Sequence, residues 1–358
     1  SRPSLTAEEP PPLLLESRVL HSTERPRFHT VPERCERAHR MSRAHPSQDR
    51  NFLAGPYIDR RAELREVEHW LEDARRDSST RYLFIRGTEL AIRGEPATAA
   101  FVSAEHPLVQ AAAPETLVLL GWFRDVRCVL VQLDTAVPPP PDIRFEELRP
   151  LASELEAGEA GLLAYARALA YWQYRHRRCG VCGAATAPHR AGHVMRCAST
   201  DCATDFFPRV DPAIIVLVSD GERALLGRQA SWPAGRYSTI AGFVEPGESL
   251  EDAVAREVLE ETGVVVTEAH YHSSQPWPFP SSLMLGFMAS AAPDSIASSS
   301  AELEDARWFT RGQIAAGEAV LPPPTSISHR LIANWFDAGS STPLRELPTR
   351  LWTPPRRG

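Results

Sequence analysis

Three glutamates, Glu257, Glu260 and Glu261, stand at positions i, i+3 and i+4. In a helix that spacing puts three carboxylates on one face, where they repel one another. A hard divalent cation relieves the repulsion, and Mg²⁺ favours carboxylate oxygens together with substrate phosphates. Arg256 and Glu248 are of the types to pair and to hold the preceding loop against such a helix. A solvated acidic face is the plainer alternative. A second set is Cys179-x2-Cys182-x14-Cys197-x4-Cys202. Four thiolates suit tetrahedral Zn²⁺ and leave no position open for water, so this site is expected to be structural, stapling a segment too short to bury its own core. The first pair lies in Cys-Gly-Val-Cys-Gly, where glycine lets backbone amides turn toward sulfur. The second pair is spaced more widely than the first; its alternative is a site that keeps its cysteines as small core residues. A third set is Ser274-Gln-Pro-Trp-Pro-Phe-Pro-Ser-Ser282. Its prolines, Pro276, Pro278 and Pro280, stiffen the backbone and reduce the entropy lost when a ligand is clasped. Trp277 and Phe279 offer flat apolar faces, and Gln275, Ser281 and Ser282 offer hydrogen-bonding groups, the combination that holds a heterocycle. The alternative is an aromatic pair in the core, but so proline-rich a run makes a poor strand or helix.

The elements that must position these groups are legible around them. Ser249 and Asp252 form an S-x-x-D start, and Gly263 tolerates the left-handed conformation at a helix end. The residues between are good helix formers, enough for about three to four turns. Leu250, Val254 and Val258 lie on another face and would anchor the helix to a core. Strands are expected near 213–219, 223–228, 264–272 and 283–289 and at Arg307–Phe309, with an amphipathic helix near Ser328–Phe336. Upstream, 61–71 reads as an amphipathic helix, 81–85, 116–120 and 128–133 as strands, Pro138–Pro141 as a stiff spacer, and Glu159–Tyr174 as a helix running into the cysteine window. No internal repeat stands out. Helices embedded in a mixed sheet give an α/β or α+β sandwich.

The whole chain sets bounds on these sites. At 358 residues it suggests two or three domains. Apolar residues make up 43%, ample for a core, and the formal charge of −7 argues against a protein whose main job is to coat nucleic acid. No apolar run nears the ~20 residues needed to cross a bilayer; Ala213–Val218 is only strand-length. The N-terminus lacks a signal pattern and Pro354–Gly358 is not a peroxisomal address, so a cytoplasmic enzyme with no membrane partner is expected. Four of the six cysteines crowd into one window, which in such a chain reads as metal rather than disulfides. Residues 1–50 are rich in Pro, Arg and Ser, and the first of them are expected to be irregular.

From Gly242 to Val264 the chain spells G-x5-E-x7-R-E-U-x-E-E-x-G-U, where U is a bulky apolar residue, with no position missed. This resembles the Nudix box of the Nudix hydrolases. Together with the cysteine window and Ser274–Pro280, it is similar to the NADH pyrophosphatases of that superfamily, over roughly 148–332 and more faintly through Phe52–Asp59. The resemblance implies an N-terminal Nudix-like domain (51–174), a zinc ribbon (175–207), a catalytic Nudix domain (208–338) and a tail (339–358), paired as a homodimer. It implies hydrolysis of NADH or NAD⁺ to AMP and nicotinamide mononucleotide, and in some members removal of NAD caps from RNA 5′ ends.

On individual residues, the resemblance implies that Glu257 and Glu261 bind Mg²⁺ or Mn²⁺ with the backbone carbonyl of Ala241, that Glu260 completes or assists the cluster, and that Glu302 reaches the metals from another loop. It implies that Gln275 to Ser282 line the substrate site. Phe243 and Phe207 match positions that stack on bases; Phe207 is Tyr in much of the family, so a hydroxyl is lost and the stacking face kept. Ser328 and Arg149 match substrate-contacting positions more loosely. Metals at the carboxylates would orient water and lower its pKa, and Glu260, Glu261 or Glu302 would accept the proton. Two rivals stand beside NAD(H) hydrolysis. One is decapping of NAD-capped RNA as the main role, motivated by Arg175-His-Arg-Arg178, which otherwise reads as a solvated helix end. The other is a non-catalytic binding module, against which the intact box argues.

Overall fold

A computed structural model describes residues 50–152, 154–292 and 302–352; the expected irregular segment before Arg50 lies outside them. Two mixed sheets and one small antiparallel sheet account for the strands. The first sheet contains β1 (Ile58–Asp59), β2 (Arg81–Arg86), β3 (Glu89–Arg93), β4 (Thr98–Ala99), β5 (Leu117–Phe123), β6 (Val126–Leu133) and β7 (Arg144–Glu147). Its order is β1-β5-β6-β2-β3-β4, with β7 also on β3; β2 and β6 run parallel. The Ala157–Arg175 helix buries its Ala- and Leu-rich length against one face of this sheet, and Leu71, Ala74 and Val109 help close the other.

One expected helix is replaced. Residues 61–71 form a 3-10 turn at Ala62–Glu66, and the α-helix comes later, at Trp70–Arg76. None of residues 62–66 is buried, so no packing sustains a longer helix there, and Arg61 sits at φ 41°, where an N-terminal turn cannot begin regularly. Leu71 and Ala74 supply the apolar anchors instead.

A ribbon of β8 (Thr186–His189), β9 (Val194–Cys197) and β10 (Asp205–Phe206) links the two larger sheets. The third sheet is built from β11 (Asp211–Ser219), β12 (Arg223–Arg228), β13 (Ile240–Phe243), β14 (Val266–Trp277), β15 (Ser282–Ala291) and β16 (Asp305–Thr310). Its order is β14-β15-β11-β12-β16. Central β11 pairs in parallel with β15 along its length, and its other side is shared by β13 and then β12. That position explains its unbroken apolar run. Ile214, Val216 and Val218 pack with Val254 and Val258 of the Leu250–Thr262 helix, whereas Ile215 and Leu217 pack with Leu331 and Ile332 of the Ile327–Ala338 helix. A strand covered on both faces needs apolar residues at both parities.

The proline-rich segment departs from expectation. β14 continues through Gln275, Pro276 and Trp277, with Pro276 opposite Leu283. β14 is an edge strand, so the N–H that Pro276 lacks would have faced away from the ladder.

Candidate active site

Ser249 caps the Leu250–Thr262 helix and forms a reciprocal capping box with Asp252, and Gly263 closes it at φ 72°. The three glutamates divide by depth. Glu257 and Glu261, one turn apart, are 9% and 7% exposed, whereas Glu260 is turned outward. Arg256 ties the group together. It grips Glu248 with two bonds, Nε to Oε2 at 3.1 Å and Nη2 to Oε1 at 2.7 Å, and donates to Glu257 at 2.9 Å, Glu260 at 3.1 Å and the Phe243 carbonyl at 3.0 Å. Glu248 also accepts from the Glu245 amide at 2.7 Å. The expected pairing of Arg256 with Glu248 is therefore present, and it fixes the loop after β13 to the helix.

Burial pushes the Glu257 carboxyl up, and it wins even against the adjacent Arg256 guanidinium. Glu261 is pushed up to about 7, first by burial and then by the charges of Glu257, Glu302 and Glu260. The Glu261 carboxyl has no hydrogen bond or ion pair among the described residues. A buried carboxylate surrounded only by like charge is chemically suited to a cation. Space tells the same story: a Cβ on Gly242 would lie 2.0 Å from Glu257 Cδ, so only glycine lets that carboxyl approach β13 beside Ala241. Glu302 is exposed just ahead of β16, close enough for its charge to raise both buried glutamates. Its loop is anchored by the Arg228–Glu304 ion pair and by the Glu304 amide on the Arg228 carbonyl at 2.9 Å.

Strand register places the proline-rich turn relative to the glutamates. Phe243, Ala213, Met284 and Gln275 form one row across the sheet, and Ala241, Ile215, Gly286 and Ser273 another. Three strand spacings, about 14 Å, separate the ends of each row. Phe207 and Phe243 each remain 59% exposed, leaving stacking faces available. Trp277 carries the Arg149 guanidinium 5.5 Å from its ring centroid and meets Phe279 edge-on at 5.0 Å.

Four expected substrate contacts are occupied internally. Gln275 is buried, and its amide donates to the Phe52 and Thr325 carbonyls at 2.9 and 2.8 Å while accepting from the Ile327 amide at 2.9 Å. Both donor hydrogens are thus committed to the fold. Ser328 is also buried, and its hydroxyl accepts from the Thr239 amide and hydroxyl at 3.1 and 2.9 Å. Phe279 packs against the core of the first sheet. Ser281 donates to Asp211 at 2.7 Å and thereby holds that carboxyl low. Of the remaining turn residues, Pro278 and Ser282 are buried, Pro276 is half-buried and Pro280 is exposed.

In the ribbon, the Sγ atoms of Cys179 and Cys202 are 3.7 Å apart and those of Cys182 and Cys197 are 3.4 Å apart; all four lie within 4.8 Å of one another. A tetrahedral zinc with bonds of ~2.3 Å separates its sulfurs by about 3.8 Å, so the residues fit the ion. Gly183, at φ +77°, turns the first knuckle. The wider second pair is absorbed by a tight turn, in which the Ala203 amide reaches the Ser199 carbonyl at 2.8 Å. Among the described residues no other group of three or more potential ligands is gathered so closely.

Two polar residues at the turn escaped sequence reasoning. Asn51 donates to Ser273 Oγ at 2.9 Å and to the Ser274 carbonyl at 2.8 Å. Arg167, buried in the 157–175 helix, donates to the Pro278 carbonyl. A charge inside an otherwise Ala- and Leu-rich helix was the available signal for Arg167; Asn51 offered none.

Comparison with known proteins finds three consecutive family matches. Residues 79–172 match the NADH pyrophosphatase-like rudimentary NUDIX domain, 175–207 the NADH pyrophosphatase zinc ribbon domain, and 208–336 the NUDIX domain. The chain is 39% identical over 229 residues to the NAD-capped RNA hydrolase NudC of Stutzerimonas stutzeri, covering 64% of this chain and 80% of that one. It is 43% identical over 202 residues to the human NAD-capped RNA hydrolase NUDT12, covering 52% of this chain and 44% of that one. To the chloroplastic Nudix hydrolase 19 of Arabidopsis thaliana it is 44% identical over 189 residues, covering 49% and 43%. The chain thus spans less than half the length of the last two relatives. Among the described residues no helix is long and apolar enough to cross a membrane.

Proposed function

We propose that this chain, which belongs to the NADH pyrophosphatase family of the Nudix hydrolases, splits the diphosphate bond of NADH or NAD⁺ to give AMP and the nicotinamide mononucleotide. The observation that carries the reading is the pair of buried glutamates, Glu257 and Glu261, on an arginine-locked helix that brings Glu257 against Gly242. Glu257, Glu261, Glu302 and the Ala241 carbonyl would hold the divalent ion, Mg²⁺ or Mn²⁺, with Glu260 at the rim. That ion, when bound, neutralises phosphate charge and lowers the pKa of an attacking water. Arg256 bridges Glu257 and Glu260 and holds them in place, and a carboxylate of the cluster would accept the water's proton. Phe207, Phe243 and Trp277 would stack on the bases, and the zinc ribbon would take no part in the chemistry. Pairing as a homodimer belongs to the same reading, as does an intracellular setting. The test is purified protein with Mg²⁺ or Mn²⁺ and NADH: release of AMP and reduced nicotinamide mononucleotide is expected, and intact NADH would end the proposal.

NAD-capped RNA is the second substrate we propose. Relatives bearing that activity in their names motivate it, and so does a surface feature. Arg175, Arg177 and Arg178 are all exposed beside the ribbon, and Arg177 lies 4.8 Å from the Tyr174 ring centroid. Arginine next to an open aromatic face suits a single-stranded backbone with stacking bases. Replacing the three arginines with alanine should slow capped-RNA turnover and flatten its salt dependence, while NADH turnover stays within about twofold. Equal loss on both substrates would remove RNA from the account.

A further inference from the structure

The segment Gln275–Pro280 has an unusual problem of attachment. Pro276, Pro278 and Pro280 have no N–H, so much of this stretch cannot be fastened as a donor. Besides its pairing with β15 and the bonds of the Gln275 side chain, it is held through carbonyl oxygens, and the side-chain donors to these come from the N-terminal half of the chain. Asn51 Nδ2 donates to the Ser274 carbonyl at 2.8 Å and to Ser273 Oγ at 2.9 Å, at the start of the segment. Arg167 Nη1 donates to the Pro278 carbonyl at its apex, and the Arg167 guanidinium lies 5.1 Å from the Phe279 ring centroid. Both side chains are buried, Asn51 at 6% and Arg167 at 7% exposure. Arg167 is balanced by Glu147 at 3.6 Å, which itself accepts from Thr88 at 2.5 Å. Burying a guanidinium among Ala and Leu is costly unless it is paired and bonded.

We propose that Asn51 and Arg167 are positioning residues for the dinucleotide. The segment at Asn51 and the Ala157–Arg175 helix, which carry none of the box glutamates, set the backbone on which Trp277 is displayed. The inference rests on the function proposed above. It also gives the N-terminal domain a defined role as a fixed support for one wall of the substrate site. Ser273 stands in the same cross-sheet row as Ala241. A shift at Asn51 is therefore a shift of the clasp relative to the carboxylates, and small displacements of substrate-orienting groups are kinetically expensive.

The experiment uses the zinc-loaded full chain and the variants Asn51→Ala, Arg167→Ala and Arg167→Lys. NADH kinetics and amide hydrogen exchange are measured on each. Asn51→Ala and Arg167→Ala should each raise KM for NADH about tenfold while kcat stays within about threefold, and Arg167→Lys, which keeps a donor for the Pro278 carbonyl, should recover most of the KM. Exchange should accelerate at Trp277, Phe279 and Ser281 but not in the Leu250–Thr262 helix. Folded variants with parental KM and parental exchange would overturn the proposal, as would a loss confined to kcat. If Arg167→Ala does not fold, Asn51→Ala decides alone. If the parent itself leaves NADH intact, the dinucleotide reading falls, and the exchange pattern alone decides whether these two residues position the turn.

Discussion

The four cysteines and the acidic cluster are both suited to metal, yet they are prepared for it in opposite ways. The thiols converge within 4.8 Å on two knuckles whose backbone is set by glycine and tight turns. The carboxylates do not converge in that way: Arg256 bridges Glu257 and Glu260, the Glu261 carboxyl lies buried among like charges with no partner of opposite charge among the described residues, and Glu302 stands on a separate loop. The difference reflects what each site must do. A structural ion needs all its positions filled and gives its binding energy to folding. A catalytic ion, as proposed for the glutamates, must share its coordination with substrate and water, so its ligands leave positions open.

The sharpest way to break this contrast is at the ribbon. Cys197→Ser should release one zinc per chain, read by metal analysis, and unfold the ribbon, since structural zinc in small domains contributes on the order of 10 kcal/mol. A parent that carries no zinc, with unchanged melting of the variant, would mean that the thiols are packing groups. Next comes Glu261→Gln, which should lower kcat by roughly 10²–10⁴ if this carboxylate binds the ion or accepts the proton. Its stability effect has a defined sign. The folded chain holds this proton up to about pH 7, above the ordinary carboxylate value of 4.5, so stability at this site is fullest below pH 4.5 and is lost as pH rises through 7. Without divalent metal, Glu261→Gln should therefore be more stable than the parent at pH 8, by at most about 3 kcal/mol, and melt together with it at pH 4.5. Added Mg²⁺ should raise only the parent at pH 8; equal melting at both pH values would show that Glu261 is not electrostatically stressed. The smallest effect is at Gly242→Ala, where the new methyl must displace the Glu257 carboxyl. Overpacking of about 1–3 kcal/mol is expected, with a rise in the Mg²⁺ needed for half-maximal rate; an unchanged Mg²⁺ requirement would separate Glu257 from the ion site.

Much of this arrangement was legible from local pattern. The glutamate helix is bounded by its capping box and Gly263 as the spacing predicted, because both ends are settled by residues in the segment itself. The apolar run at β11 and the cysteine spacing were equally direct. The division of the glutamates by depth was not legible, since i, i+3 and i+4 share a face and only the packed sheet distinguishes the inner pair from Glu260. Gln275 and Ser328 were expected at the substrate, but their hydrogen bonds turn out to bind distant segments: Gln275 to Phe52, Thr325 and Ile327, and Ser328 to Thr239. A polar side chain in a motif reveals its capacity to bond and not its partner. The helix expected at 61–71 failed for a related reason, because periodicity without a surface to bury against leaves 62–66 in a short 3-10 turn.

The edge position of β14 has one more consequence. An open sheet margin invites another chain to add itself by hydrogen bonding, the first step toward aggregation. Here that margin is interrupted by irregular register between Val266 and Glu268 and between Tyr271 and Ser273, and it then runs into Pro276, which offers no donor at all. The prolines that stiffen the turn therefore also make this side of the molecule a poor template for intruding strands.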